Sequence, residues 1–207
     1  MYRIVLALIT AITLSFSTVV SANDAESSEL QGYGAFSSLN KDWMLMALYT
    51  DKADETSPIA APQRLEIKIA TKKFSPRRFR SLWLETLAVE HGTDKVAAME
   101  TELKQFFDIL QGPLKSGDTL IIERTELGSE VRINYHTLAN LSSDFLPVIV
   151  QSLVGKHPPT QALKTGLRGE DSLRAQTNLS IRFERLEPTL PRIAEISRWG
   201  KRILASR

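Results

Sequence analysis

Few side chains in this sequence have the types and spacing that chemistry requires. Cysteine is absent, which excludes disulfide bonds, thiolate catalysis and zinc–thiolate sites. The three histidines, His91, His136 and His157, fall in separate predicted elements and lack the helical HxxxH spacing of a metal site. Glutamate pairs such as Glu100 and Glu102 belong to an amphipathic segment, where a solvated helix face explains them. Serine-nucleophile and glycine-rich phosphate motifs are also missing, so the sequence predicts no metal, no cofactor and no catalytic residues.

Two segments of the chain are rich in basic residues and could bind an anion. The first surrounds a predicted helix start, and its basic residues are Lys72, Lys73, Arg77, Arg78 and Arg80. The free N–H groups of a helix start can receive a phosphate or a lipid headgroup, although a solvated helix entrance gives the same pattern. The second is the tail, residues 182–207, which carries seven basic and three acidic residues. Its apolar positions share one helix face, so the tail could lie on an anionic membrane surface or dock on the protein's own sheet.

The composition is that of an ordinary soluble globular protein. Of the 207 residues, 43% are hydrophobic and 24% are charged, and the formal net charge is +2. This nearly neutral balance does not favour nucleic acid as a partner. Without disulfides the fold must be held by its core, and a single domain of this length buries enough apolar surface to be stable unaided.

The first residues have the pattern of a secretory signal peptide. Arg3 is followed by the apolar stretch Ile4–Leu14, and Val20-Ser21-Ala22 ends in the small residues that signal cleavage requires. An uncleaved membrane anchor is the alternative interpretation, but the apolar run is shorter than the roughly 20 residues of a spanning helix. We expect residues 1–22 to be removed, residues 23–31 to form a flexible lead-in, and the mature protein to be periplasmic.

Two apolar patterns predict strands in the first half of the chain. Trp43–Thr50 is continuously apolar, which is typical of a strand covered on both faces, although a short buried helix has the same pattern. Arg64–Ile69 alternates strictly. Its apolar residues are therefore predicted to face a core, while Arg64, Glu66 and Lys68 face water.

Helices follow, and together the elements predict an α+β fold. Ser75 before Pro76 is a helix start signal, and apolar residues then recur at helical spacing until Gly92 ends the helix. Strands, a helix pair, a hairpin and a further helix in this order predict an antiparallel sheet with helices on one face. The remaining predicted elements are a helix over Thr93–Leu110, a β-hairpin of Asp118–Glu123 and Glu130–Tyr135, and a helix over 143–154.

The order and spacing of several segments resemble the chalcone isomerase-like proteins, in their exported bacterial branch. The resemblance covers residues 32–169 and implies an open-faced β-sandwich, with helices layered on one face of the antiparallel sheet and a ligand cleft between them. Residues 170–207 are then a C-terminal extension that contains the basic amphipathic segment. The segments that carry the resemblance are ALYT at Ala47–Thr50, KKFSPRRF at Lys72–Phe79, GDTLII at Gly117–Ile122, VRIN at Val131–Asn134 and LKTGLRG at Leu163–Gly169.

The positions that the resemblance marks as catalytic differ in this chain. Plant members of the family close a ring by adding a phenolate to an enone, and they use an arginine at the first strand together with a threonine and a tyrosine. Residues 23–63 contain no arginine. Met44 falls at the position of the threonine, and Glu90 or His91 at that of the tyrosine. The sequence therefore favours a protein without isomerase activity.

A binding function is the leading expectation. Fatty-acid-binding relatives hold their ligand in the family's cleft, so this chain is expected to accept an apolar small molecule or a fatty acid there. The predicted ligand-binding residues are Met44, Met46, Trp83 and Phe106. Core packing is the competing interpretation for these residues, because methionines fill irregular gaps in cores as readily as they adapt to ligands.

Two alternative functions remain open from the sequence. An intramolecular lyase of the chalcone isomerase type would need a cation inside the cleft, and Arg64, Lys41 and Arg132 are the candidates. A peripheral membrane or partner-binding protein would act through the C-terminal tail.

Overall fold

An antiparallel sheet forms the centre of the protein, for which the computed structural model describes residues 28–51 and 60–205. Within these residues the sheet has six strands in the order β1-β2-β3-β6-β7-β8, and β4 and β5 pair separately. The predicted signal peptide lies outside the described residues. The strands are β1 (Glu29–Ser38), β2 (Lys41–Thr50), β3 (Pro62–Ile69), β4 (Lys73–Phe74), β5 (Leu114–Lys115), β6 (Thr119–Thr125), β7 (Gly128–Ile133) and β8 (His136–Leu141).

Most of the helices pack on one face of this sheet, which confirms the predicted α+β class. The predicted helix over Thr93–Leu110 is divided at Met99, and the sequence did not predict β4, β5, β8, α5 or α6. Strand β1 was not predicted either, and it begins at Glu29, inside the segment 23–31 that was expected to be a flexible lead-in. No helix of the described ranges has both the length and the apolar composition of a membrane span. The helices are α1 (Pro76–His91), α2 (Thr93–Ala98), α3 (Glu100–Asp108), α4 (Phe145–Val154), α5 (Gln161–Leu167), α6 (Leu173–Glu184) and α7 (Leu190–Ala205).

Residues 43–49 of strand β2 are continuously apolar or aromatic because both faces of the strand are covered. Met44 and Met46 point into the main core beneath the helices. Leu45 and Ala47 point to the opposite face, where Phe183 of α6 packs against them. The prediction of a doubly covered strand at Trp43–Thr50 is thus confirmed.

The prediction that the polar face of β3 points to water is wrong for Lys68 and only partly right for its neighbours. Lys68 is 5% exposed. Its ammonium lies 4.6 Å from the centre of the Phe183 ring and 2.9 Å from a carboxylate oxygen of Glu187. Burial also raises the pKa of Glu66, against the opposing effect of Arg64 and Lys68. The C-terminal extension covers this face, and strand alternation carries no information about such a cover.

Helix α5 approaches strand β1 so closely that glycine is required at the contact. A Cβ atom on Gly32 would collide with the carbonyl oxygen of Gly166. The Gln176 side chain of α6 fastens this contact, because it accepts from the main-chain N–H of Tyr33 at 2.8 Å and donates to the carbonyl oxygen of Gly166 at 2.9 Å. The first turn of α6 and the backbone of α5 are therefore fixed on the same edge strand.

Helix α7 is fastened to the domain by a buried ion pair between Arg192 and Asp118. Asp118 is fully buried and accepts from Arg192 Nη2 at 2.7 Å, from Asn134 Nδ2 at 2.7 Å and from the main-chain N–H of Lys115 at 2.8 Å. The guanidinium of Arg192 also lies 5.0 Å from the Trp199 ring centre. Trp199 and Ile196, on the same helix face, belong to the main core. The apolar face of the tail is thus docked on the protein itself.

Replacement of Arg192 by leucine should lower the free energy of unfolding by about 3–5 kcal/mol, because Asp118 then stays buried without its cationic partner. Urea unfolding followed by circular dichroism measures this loss. Arg198→Leu is the matched control, since Arg198 is exposed on the same helix. A loss no larger than that of the control would show that the ion pair does not hold α7.

Candidate functional site

The four predicted ligand-binding residues meet in one place, the interior between the sheet and the helices. Met44 and Met46 come from β2, Trp83 from α1 and Phe106 from α3, and each is at most 1% exposed. The Trp83 and Phe106 rings are 6.1 Å apart, and Phe79 packs against both. Close aromatic packing fills the space that a ligand would need. Their role in ligand binding stays a prediction.

A small chamber remains beside this cluster. It has a volume of about 10 Å³, which is the space of a single water molecule. Trp83 lines the chamber, and its buried indole Nε1–H has no hydrogen-bond partner among the described residues. Phe36, Thr86 and Pro159 line both the chamber and an outer groove of about 280 Å³. The interior is therefore closed to anything larger than water unless its side chains repack.

A larger opening lies at the end of β2, between the sheet edge and helices α4 and α5. We name it the basic-rimmed cleft, and its volume is about 530 Å³. Its floor is apolar, and its rim carries three cationic side chains. The apolar residues are Leu48, Ala60, Pro62, Pro147, Val150 and Val154, and the cationic residues are Lys156, Lys164 and Arg168.

Local hydrogen bonds hold the rim of this cleft in place. Lys164 Nζ donates to the carbonyl oxygen of Gly155 at 2.7 Å, which joins α5 to the end of α4. Arg168 lies 2.8 Å from Glu170, and its carbonyl oxygen accepts from the Gln31 side chain at 2.9 Å. Within the described ranges the ammonium group of Lys156 has no ion-pair partner. An apolar floor under a cationic rim can hold an amphipathic anion.

Residues 13–169 match the model of a protein family described as chalcone isomerase-like. The chain belongs to the chalcone isomerase-like family. Among solved structures it is similar to a fatty-acid binding protein of Arabidopsis thaliana, with a TM-score of 0.52 and 17% sequence identity over 76% of this chain and 91% of that chain. At this identity the similarity concerns the fold. A comparison with curated protein sequences finds no match.

In this chalcone isomerase-like domain, the cations that the sequence proposed for ring closure lie outside the interior. Arg64 lies on the opposite face of the sheet, 3.0 Å from Glu66 and 4.0 Å from the centre of the Tyr49 ring. Arg132 also lies on that face and pairs with Glu123 and Glu130. Lys41 is exposed at the start of β2. None of these three side chains is available to an anion beneath the helices.

The two residues at the expected tyrosine position make structural contacts instead. Glu90 receives the main-chain N–H groups of Lys156 and His157 at 3.0 and 2.6 Å, so its carboxylate shapes the loop that carries Lys156 on the cleft rim. His91 Nε2 lies 3.0 Å from the carbonyl oxygen of Val148. Within the described residues, no group of three or more histidine, aspartate or glutamate side chains could hold a metal.

The hydrogen bonds to Glu90 also determine its ionisation. Burial acts to raise the pKa of this carboxyl, but the hydrogen bonds from the main-chain N–H groups of His157 and Lys156 outweigh that effect and hold the pKa below its usual value. The folded state therefore favours the ionised form of Glu90 more strongly than the unfolded state does.

The sequence did not identify the residues of the basic-rimmed cleft. Lys156, Lys164 and Arg168 lie within thirteen residues of one another but follow no charged-site motif. Only LKTGLRG, which contains Lys164 and Arg168, stood out, and it did so as a family segment and not as a charged site. The cleft arises because α5 folds back on β1 and carries Lys164 and Arg168 toward the end of β2, while the loop before α5 adds Lys156.

Substitution of Glu90 by glutamine should produce a stability loss that depends on pH. Because the folded pKa lies below the unfolded value of about 4.3, the stabilisation by Glu90 is complete above that value and is lost as the pH falls through the folded pKa. We expect Glu90→Gln to be less stable than the parent by about 1–3 kcal/mol at pH 7.

Urea titrations across the acid range measure this difference. It should narrow as the pH falls below about 4. Glu85→Gln, an exposed change on the same helix, serves as the control. A difference for Glu90→Gln that stays constant down to the lowest pH would contradict the assignment of its lowered pKa.

Proposed function

We propose that this protein binds an acyl chain or another apolar molecule with an anionic end, that it does so in the basic-rimmed cleft, and that it catalyses no reaction. The observation that carries this proposal is the combination of an apolar floor with Lys156, Lys164 and Arg168 on one rim. We further propose that the protein acts in the periplasm, for which the pattern of residues 1–22 is the support.

The dimensions of the cleft suit a small amphipathic ligand. Its volume of about 530 Å³ lies in the range of ordinary small-molecule sites. Leu48 and Val150 on the floor are almost fully buried. An acyl chain placed there would remove its own methylene groups from water at little cost in protein polar groups, and burial of each methylene contributes about 0.8 kcal/mol.

The charges on the rim suit a carboxylate or a phosphate. Glu170 partly neutralises Arg168, which leaves Lys156 and Lys164 as the cations nearest the cleft. A charge-assisted hydrogen bond from either ammonium group is stronger than a neutral one, more so beside a low-dielectric floor. Thr50 and Gln31 add a hydroxyl and an amide at the same rim.

The closed interior gives less support to a site at Met44, Met46, Trp83 and Phe106. A ligand there would have to displace closely packed aromatic side chains, whereas the basic-rimmed cleft is already open. The intramolecular lyase alternative gains no support either, because Arg64 and Arg132 bind carboxylates on the other face of the sheet. The fatty-acid binding protein with a similar fold motivates the choice of fatty acids as probes.

Isothermal titration calorimetry with dodecanoate tests this proposal. We expect saturable binding to the parent protein, and a tenfold or greater loss of affinity in Lys156→Glu, which corresponds to about 1.4 kcal/mol. Val150→Trp should block binding by filling the floor. Lys41→Glu makes the same charge change on an exposed strand end and should bind like the parent. Equal dodecanoate affinities of Lys156→Glu and Lys41→Glu would show that the cationic rim does not contribute to binding.

Native mass spectrometry of the protein purified from its own host separates the cleft from the interior. A bound apolar molecule that is lost in Val150→Trp but retained in Met44→Trp would place the ligand in the basic-rimmed cleft. The reverse result would place it among Met44, Met46, Trp83 and Phe106 and would overturn the proposed location.

A further inference from the structure

A second cleft, distant in sequence from the first, lies between the start of α1, the end of α3 and the end of α7. Its volume is about 650 Å³. Phe107, Leu110, Leu138 and Ile203 form the apolar part of its floor, and the first three are buried. The rim carries cations, and it is this combination that distinguishes the cleft from an ordinary gap between helices.

This cleft lies where the two basic segments of the sequence approach each other. Arg77 and Arg80 come from the first segment, and Lys104 of α3 lies beside them. Ile203, from the second segment, lines the same cleft, and its neighbours Lys201 and Arg202 are exposed. We name the three lining cations Arg77, Arg80 and Lys104, together with the exposed Lys201 and Arg202 at the adjoining end of α7, the composite basic surface. More than 120 residues separate Arg77 from Lys201 in the chain.

The composite basic surface keeps a positive excess after its internal ion pairs are counted. Asp108 is the carboxylate on the rim of this cleft, and it pairs with both Arg80 and Lys104. On the rim one negative charge therefore stands against three positive ones, and Lys201 and Arg202 add two exposed cations on α7. Exposed charges of one sign around an apolar floor attract a surface of the opposite sign and are screened by salt.

We propose that the composite basic surface binds a bilayer that contains anionic phospholipids, and that α7 stays docked on the protein while it does so. The cations contact the headgroups, and the apolar floor can receive an acyl chain or the glycerol region of a lipid. The floor favours a lipid over a nucleic acid, because a phosphate backbone gains nothing from Phe107 and Leu110.

The docked state of α7 determines which part of the tail can take part. Ile196 and Trp199 are buried in the protein core, and Arg192 holds them there through Asp118. The apolar face of the tail is therefore not free to enter a bilayer as an interfacial helix would. Only the outward face of α7, with Lys201 and Arg202, is free for the headgroups. The membrane contact proposed here is electrostatic and does not require the helix to leave the domain.

Co-sedimentation with vesicles tests this proposal on the protein purified from its own host. The protein should pellet with vesicles of equal parts phosphatidylglycerol and phosphatidylcholine, and not with phosphatidylcholine alone. High salt should release it. The double variant Arg77→Glu/Lys201→Glu should lose at least tenfold in apparent affinity. Lys156→Glu, a charge reversal in the basic-rimmed cleft, is the matched control and should pellet like the parent.

Three results would overturn the proposal. Parent-like pelleting of Arg77→Glu/Lys201→Glu would exclude the composite basic surface. Release of the protein by inorganic phosphate, but not by sodium chloride at the same ionic strength, would indicate a discrete site for a free anion. Stronger pelleting of Arg192→Leu than of the parent would show that an undocked α7 makes the contact. We expect Arg77→Glu/Lys201→Glu to bind dodecanoate with the same affinity as the parent. This control separates the membrane test from the test of the basic-rimmed cleft.

Discussion

The buried ion pair between Arg192 and Asp118 is the interaction on which the arrangement of the C-terminal extension depends. A carboxylate as buried as Asp118 is costly unless donors surround it, and Arg192 completes a set that Asn134 and the Lys115 N–H begin. Once Arg192 is fixed, Trp199 is held in the core. The segment between the family domain and α7 is then fixed at both ends, with α6 held across the second sheet face. A domain that would otherwise be open on that face is covered by its own chain.

This cover changes what each face of the sheet can do. On the α6 side, Lys68 contacts the Phe183 ring and pairs with Glu187, and Arg64 pairs with Glu66. These two cations already have partners in the protein and are not available to bind an anionic ligand. On the helix side, Met44 and the aromatic cluster close the interior. In the part of the chain that the structure describes, Arg64, Arg132 and Lys41 all lie outside that space. Glu90, at the position expected for a tyrosine, shapes the loop before α5. The open clefts lie at the edges of the domain, where helices end and charged side chains are exposed.

Two clefts at the edges of the domain each have an apolar floor beneath a cationic rim, but they differ in geometry. The basic-rimmed cleft is bounded by the sheet edge, α4 and α5, and its size suits one small molecule. The composite basic surface extends over the exposed ends of α1, α3 and α7 and suits a broad partner. The formal net charge of only +2 does not indicate either cluster of cations. A protein that binds an acyl ligand at one site and an anionic bilayer at the other would have both functions without any catalytic residue.

The sequence by itself determined the family and several of the local elements. The Ser75 cap, the alternation of β3 and the hairpin before Asn134 depend on neighbouring residues, and the same local physics acts in the folded chain. It also explained why residues 43–49 of β2 are apolar, although not which element covers the second face of this strand. Tertiary structure alone decided that Lys68 is buried, that Arg192 pairs with Asp118, and that Lys156 and Arg77 lie on two different cationic rims. Each of these depends on segments far apart in the chain, and hydrophobic periodicity reports which residues are buried without reporting against what.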